Sequence, residues 1–291
     1  MSKQQAKANF SSGDLEKYKS ALSYARKNKQ SFQVVSTGLS RKIVMPNGFK
    51  LNYFGRKGSN NLVEGAFLVM MVKREIDAYI EKNGVPPKVE PTQVQTFNFS
   101  AIKRVLSGKR VPVIGVDINA CYWFVAHKLG YISDTLFERG LNTKKKKGLL
   151  IAIGCLNKLP MIKTYVGGEC IATDFDMEYH NTYSPFYWNV IKYTHDLMIE
   201  SFQLFGDDWY MFLTDCLFVS VDKIKDAQEF LKLKGFAFKN HSIEFKTYDA
   251  RNITWYDFKD QKIKTMYAGT RDINYYTKIY EEKQRATEVA L

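Results

Sequence analysis

The sequence feature that most constrains the fold is a lone acid inside a strongly apolar segment. Residues 209–221 read WYMFLTDCLFVSV, and Asp215 at their centre is the only acid among them. A run of this kind predicts two short buried strands joined by a turn at the acid. A second apolar run, residues 111–117 (VPVIGVD), ends in Asp117 and is typical of a strand that is buried on both faces.

Ionised carboxylates in such surroundings need a compensating cation, because burying an unpaired charge is strongly unfavourable. Asp117 and Asp215 offer oxygen ligands only, which favours a hard ion such as Mg²⁺ or Mn²⁺. A pair of such carboxylates is typical of two-metal phosphoryl transfer. The alternative is that each acid caps a helix or a turn, and the residues alone leave both interpretations open.

Apolar periodicity and turn residues predict a mixed fold along the rest of the chain. Ser184-Pro185 is typical of the start of a helix and Gly206 of its end. Further helices are predicted over residues 14–29, 62–82 and 222–233, and strands over residues 31–35, 41–44, 49–54, 253–258 and 263–267. The order of elements from residue 111 onward predicts an α+β fold in which helices cover a sheet.

The charge balance favours a polyanionic partner. The chain has 43 Lys and Arg residues against 30 Asp and Glu residues, a formal net charge of +13. A surplus of this size concentrates phosphate groups around the protein, which is typical of nucleic-acid binding. A solvated basic surface without a partner is the alternative interpretation.

Cysteine usage and hydropathy predict a cytoplasmic protein, in the host cytoplasm if the source is viral. Cys121, Cys155, Cys170 and Cys216 form no C-x-x-C pair, so they indicate reduced thiols and no zinc site. The first residues lack the apolar stretch of a signal peptide, and the most apolar run, residues 66–72, is too short to span a bilayer. We therefore expect no membrane partner.

Three segments resemble, in chain order, the palm motifs of family B DNA polymerases. Residues 117–123 (DINACYW) are similar to the first motif, D-x-x-S-L-Y-P, and residues 212–219 (FLTDCLFV) to the third, Y-x-D-T-D-S. Residues 144–154 (KKKKGLLIAIG) resemble the second motif, K-x-x-x-N-S-x-Y-G. The resemblance covers about residues 111–270, where residues 246–248 (KTY) are also similar to a primer-contacting element of the protein-primed branch.

The resemblance implies a catalytic role for Asp117 and Asp215, which would hold two Mg²⁺ or Mn²⁺ ions. Tyr122 would be the steric gate that stacks under the sugar of the incoming nucleotide. Lys146, or its neighbour Lys147, would reach the triphosphate and neutralise charge that develops there. The expected function is that of a minimal DNA polymerase that adds dNTPs to a primer.

The same resemblance implies that Lys246 and Tyr248 contact the primer strand of a DNA primer–template. A terminal protein or other replication or virion proteins would be further partners. The implied fold is a palm-like antiparallel sheet covered by helices, with a small α/β N-terminal module and minimal fingers and thumb. We expect an N-terminal module over residues 1–92, a palm-like domain with reduced fingers over 93–270 and a C-terminal helix over 271–291.

Departures from the family pattern favour a second hypothesis. Leu213 stands in place of the first acid of the third motif, and Leu150 in place of the asparagine of the second. The segment between Asp117 and Lys146 is too short for two-helix fingers, and the first 110 residues show no D-x-E exonuclease motif in a predicted strand. The alternative is thus a non-catalytic, polymerase-like nucleic-acid-binding protein in a phage replication or virion assembly. A two-metal nuclease that uses the same acids is a third hypothesis.

Overall fold

The chain folds into two compact units of mixed helix and sheet. A computed structural model describes residues 9–12, 15–37, 40–54, 61–89, 97–108, 112–143, 147–248 and 252–267. Unit 1 consists of residues 1–88 and 126–188, and unit 2 of residues 89–125 and 189–291. The α+β class is therefore as predicted. The C-terminal helix predicted over residues 271–291 lies outside the described residues.

Unit 1 contains a sheet to which two distant parts of the chain contribute. Its strand order is β1-β4-β3-β2-β6-β7, with β1 parallel to β4 and the other described pairs antiparallel. The strands are β1 (Asn9–Ser12), β2 (Phe32–Thr37), β3 (Ser40–Val44), β4 (Lys50–Phe54), β6 (Met161–Val166) and β7 (Glu169–Phe175). The helices that lie within this unit are α1 (Leu15–Lys27), α2 (Asn61–Asn83), α5 (Asp134–Leu141) and α6 (Lys147–Gly154).

The domain boundaries differ from the predicted ones because of the hairpin β6–β7. Strand β6 hydrogen-bonds to β2, with Val34 opposite Lys163. This pairing draws residues 126–188 into unit 1, although the sequence assigned them to the palm-like domain. A core of buried side chains fixes α1 to the sheet, with Tyr18, Phe32 and Ile43 each at most 2% exposed.

Two helices continue from one unit into the other along the chain: α4 (Cys121–Lys128) and α7 (Met177–Phe205). The start predicted for the second of these, at Ser184-Pro185, is wrong, since Pro185 lies inside α7. The true start is capped by Asp176, whose Oδ1 accepts a hydrogen bond from the backbone N–H of Tyr179 at 2.9 Å. An N-cap carboxylate satisfies backbone donors that a helix leaves unpaired at its first turn.

Unit 2 contains a second sheet, in which every described strand pair is antiparallel. Its strand order is β12-β11-β10-β5-β9-β8. The strands are β5 (Val113–Ile118), β8 (Trp209–Leu213), β9 (Cys216–Ser220), β10 (Phe238–Tyr248), β11 (Asn252–Asp257) and β12 (Lys262–Tyr267). The helices within this unit are α3 (Phe99–Ser107) and α8 (Ile224–Leu233).

The core of unit 2 holds the centre of this sheet rigidly. Helix α3 places Ala101, Ile102 and Val105 in a buried cluster with residues of β5, β8, β9, β10 and β11. The side chain of Asn98 caps α3 by accepting from the backbone N–H of Ala101 at 3.1 Å. Helix α8 buries Leu231, which is fully shielded from solvent. Strands β5 and β9 are thus packed among buried neighbours, and this fixes the elements that carry the two acids.

Candidate functional site

Asp117 lies near the end of the central strand β5. Its backbone partners are Cys216 on β9 and Lys239 on β10. The neighbouring residues Val116 and Ile118 are buried, whereas the Asp117 side chain is 15% exposed. Near its end, β5 therefore carries a partly exposed carboxylate between buried apolar neighbours.

Asp215 lies in the two-residue turn that joins β8 to β9, as the sequence predicts. Thr214, the other turn residue, has a φ of 57°, which is the left-handed region that a β-branched residue rarely adopts. The carbonyl oxygen of Asp215 accepts a hydrogen bond from the backbone N–H of Ile118 at 3.0 Å. This bond ties the turn to the residue next to Asp117, so the turn that carries Asp215 lies beside the end of β5.

The surroundings of Asp215 disfavour its ionised form. Burial, and next the negative charge of Asp117, raise the pKa of the Asp215 carboxyl from 3.8 to about 6. Its own backbone N–H and the ammonium groups of Lys239 and Lys259 oppose this rise without cancelling it. Ionisation of Asp215 is therefore less favourable than that of a free aspartic acid.

Two buried thiols flank the acids. Burial, and then the nearby charge of Asp215, raise the pKa of Cys121 to about 12. The Cys121 Sγ lies 3.7 Å from Thr194 Oγ1, within hydrogen-bonding reach. Burial also raises the pKa of Cys216 well above its usual range, with Asp117 and Asp215 adding to the shift. Both thiols are therefore neutral at physiological pH.

Two lysines that sequence reasoning missed contact Asp117. Lys239 Nζ lies 2.9 Å from Asp117 Oδ2, and Lys259 Nζ lies 3.5 Å from the same oxygen. Each lysine side chain is 50% exposed. The sequence signal is weak, because the contact of Lys239 depends on the register of β10 against β5 and that of Lys259 on the turn between β11 and β12.

A buried carboxylate organises the turn that carries Lys259. Asp257, 2% exposed, accepts hydrogen bonds on its Oδ1 from the backbone N–H groups of Lys259 at 3.0 Å and Asp260 at 3.1 Å. Its Oδ2 lies 2.6 Å from Lys264 Nζ. Burial alone would raise the pKa of Asp257, but these donors hold it below its usual range.

The lack of a side chain at Gly115, two residues before Asp117, leaves room for the ring of His241. Gly115 on β5 lies opposite His241 on β10. A Cβ atom at Gly115 would come within 2.8 Å of the His241 ring and 2.8 Å of the Phe218 ring, so only glycine fits without a shift. His241 Nε2 lies 3.9 Å from Asp257 Oδ2, and burial lowers the pKa of the ring.

Of the three residues predicted to bind the nucleotide, only Tyr122 has a side chain among the described residues. Tyr122 is half-buried in the first turn of α4, five residues after Asp117. Lys146 lies outside the described residues. Lys147 is the first residue of α6 in unit 1, and its side chain is likewise outside the described part. The nucleotide-binding role of these three residues stays a prediction.

The residues predicted to contact the primer lie far along β10 from the acids. Lys246 is seven residues beyond Lys239 on this strand, which corresponds to roughly 20 Å at the usual rise of a strand. Its Nζ lies 2.7 Å from Glu244 Oε2, and Tyr248 packs its ring 5.6 Å from that of Phe99. The structure therefore does not bring Lys246 and Tyr248 to the acid pair.

The donor set around Asp117 and Asp215 fits a hard divalent ion better than a soft one. One carboxylate lies on β5 and the other in the turn next to its neighbour β9, and the second has a raised pKa that a nearby cation would lower. Among the described residues, no group of three or more His, Cys, Asp or Glu side chains could hold a metal ion. Ligands beyond the two acids would have to be water, backbone carbonyls or phosphate oxygens, as is common for Mg²⁺.

Comparison with models of known protein families and with curated proteins finds no match to the chain. In the part of the chain that the structure describes, no helix combines the length and apolar character needed to cross a membrane. The function must therefore be argued from the geometry of the acid site.

Proposed function

We propose that the protein is a minimal palm-type DNA polymerase that adds dNTPs to a primer by a two-metal mechanism. The observation that supports this most strongly is the placement of Asp117 and Asp215. One ends a buried central strand, and the other lies in the turn of the neighbouring hairpin, tied to Ile118 by a backbone hydrogen bond. Family B DNA polymerases, which the motifs resemble, have acids in two such motifs.

In this proposal Asp117 and Asp215 hold two Mg²⁺ or Mn²⁺ ions, which when bound activate the primer hydroxyl and neutralise charge on the leaving pyrophosphate. The chain itself contributes a rigid seat for the two carboxylates, because β5 and β9 are packed among buried neighbours. The net charge of +13 draws the DNA primer–template towards the protein. A terminal protein or other replication or virion proteins are further proposed partners.

The test is primer extension by the full chain with dNTPs and Mg²⁺ or Mn²⁺. Asp117→Asn and Asp215→Asn keep the shape of the side chains and remove their charge, so each is expected to reduce extension by about 100-fold or more. The control is Asp222→Asn, which removes an exposed acid of the same unit and should leave extension unchanged. Equal extension by all variants would contradict the proposal.

A second candidate function is a non-catalytic, polymerase-like protein that binds nucleic acid. The observation that favours it is the pairing of Asp117 with Lys239 and Lys259, which compensates this acid without a metal ion. Tight, salt-sensitive DNA binding without extension under any priming condition would support this candidate. Degradation of the labelled strand would instead indicate a nuclease.

A further inference from the structure

The two lysines on Asp117 reach it from separate elements. Lys239 is its direct cross-strand neighbour on β10, and Lys259 arrives from the turn between β11 and β12. Both ammonium groups approach the same oxygen, Oδ2. Two like charges that share one carboxylate oxygen repel each other, and the nearby carboxylate of Asp215, on which both lysines also act, offsets part of this repulsion.

The position of Lys259 is built into the fold. Asp257 accepts the backbone N–H groups of Lys259 and Asp260 and is itself paired with Lys264. These bonds fix the backbone of the turn, while the Lys259 side chain remains half exposed. A flexible four-carbon stem on a fixed backbone allows the ammonium group to move over several ångströms at little energetic cost.

Metal binding at Asp117 competes with these ammonium groups. A Mg²⁺ ion approaches a carboxylate oxygen to about 2 Å, well inside the distance of either ammonium nitrogen. Oδ2 cannot accept both ammonium groups and also ligate a divalent ion, because of crowding and of repulsion between cations. A metal ion that ligates Oδ2 of Asp117 therefore displaces at least one of the two lysines.

An ammonium group that is displaced from Asp117 and lies beside the metal site is suited to bind a phosphate oxygen. We propose that Lys239 and Lys259 occupy the metal position on Asp117 in the ligand-free protein and move to phosphate groups when metal and substrate bind. The lysines thereby couple metal binding to phosphate binding. This inference rests on the proposed function of Asp117 as a metal ligand. The phosphate belongs either to the incoming nucleotide or to the primer–template backbone.

The first experiment measures Mn²⁺ binding to the full chain by the loss of the free-ion electron paramagnetic resonance signal. Lys239→Gln and Lys259→Gln each leave one ammonium group on Asp117, which keeps the acid paired. We expect each variant to bind Mn²⁺ about fivefold to tenfold more tightly than the unaltered protein. The control Lys262→Gln removes an exposed lysine of the same hairpin and should bind Mn²⁺ as the unaltered protein does. Equal or weaker Mn²⁺ binding by both Asp117-facing variants overturns the inference.

The second experiment measures phosphate binding in the presence of Ca²⁺, with dATP and with a labelled primer–template in separate titrations. We expect Lys239→Gln and Lys259→Gln to weaken the binding of either dATP or the primer–template by about fivefold or more. The ligand whose binding weakens identifies the source of the phosphate. Unchanged binding of both ligands would show that the two lysines do not move to phosphate groups, and would overturn that part of the proposal.

The two proposals fail separately. Tighter Mn²⁺ binding by the lysine variants without primer extension rejects the polymerase function and retains the inference. Extension that depends on Asp215, together with Mn²⁺ binding that is indifferent to both lysines, retains the function and rejects the inference.

Discussion

Asp215 is a carboxylic acid whose ionised form its neighbours disfavour. Its carboxyl is half-buried beside Asp117, and both conditions disfavour a second negative charge. The two lysines near the pair form ion pairs with Asp117. Asp215 is thus the acid with the greater electrostatic need for a cation.

Asp215→Asn should stabilise the metal-free protein at alkaline pH. The folded pKa of about 6 lies above the ordinary value of 3.8, so ionisation of Asp215 opposes folding as the pH rises through 6. We expect a gain on the order of 2 kcal/mol in the free energy of unfolding at pH 8, shrinking towards zero below pH 4. Urea unfolding in EDTA at a series of pH values measures this. A gain that is independent of pH would contradict the assignment.

Sequence reasoning finds the acids but not their counter-charges, for a physical reason. Asp117 and Asp215 stand out because each interrupts or ends an apolar run. Lys239 and Lys259 lie in polar segments, where a lysine is unremarkable until the strand register is known. A shift of one residue in that register would move Lys239 to the other face of the sheet.

At the scale of elements, the hairpin β11–β12 depends on the buried Asp257. This carboxylate supplies acceptors for two backbone N–H groups of the turn and a partner for Lys264. Such a network is stable only when each member is satisfied, since a buried polar group without a partner is costly. The stability of the hairpin therefore depends on Asp257 more than on the exposed charges around it.

Asp257→Asn should destabilise the protein by roughly 1–3 kcal/mol, because it leaves Lys264 without its buried counter-charge. The folded pKa of Asp257 is lowered, so its contribution is present above the unfolded value of 3.8 and is lost as the pH falls through the folded pKa. Thermal unfolding at pH 7 and at low pH measures both effects. The matched control is Asp260→Asn, which removes the 40% exposed partner of the same lysine and should change stability far less than Asp257→Asn does.

Elements with strong local patterns are predicted well from the sequence, and those with competing signals are not. The predicted helices over 14–29, 62–82 and 222–233 correspond to α1, α2 and α8 within a few residues. The start predicted at Ser184-Pro185 fails because Asp176 provides an earlier cap and the helix continues through the proline. Strand β10 escaped prediction, since much of it is exposed and polar and shows little apolar alternation.

At the scale of the whole molecule, the net charge of +13 predicts that the proposed binding to DNA depends on salt. Phosphate contacts by lysine and arginine release counterions, so the affinity must fall as salt is raised. We expect affinity for a random-sequence duplex to drop by about 1,000-fold between about 50 and 200 mM NaCl. Fluorescence anisotropy with a labelled duplex measures the slope. An affinity that is flat over this range would show that the basic surplus is a solvated surface only.

The division into units is the part of the architecture that local sequence patterns could not reveal. The sequence predicts a boundary near residue 92, and the first segment of unit 1 ends at residue 88. The return of residues 126–188 to that unit depends on the pairing of β6 with β2, two strands far apart in the chain. Such pairing is decided by tertiary packing and leaves no short-range signal.

The pairing of β2 with β6 also sets the order in which the protein can be completed during synthesis. As the chain emerges from the ribosome, strands β2, β3 and β4 appear early, but β2 has no partner on its other side until Met161–Val166 has been made. An open strand edge is a template for wrong pairing with other chains. In nascent unit 1, one edge of β2 therefore stays exposed during much of translation. A fragment that ends near residue 92 lacks β6 and keeps that edge exposed permanently.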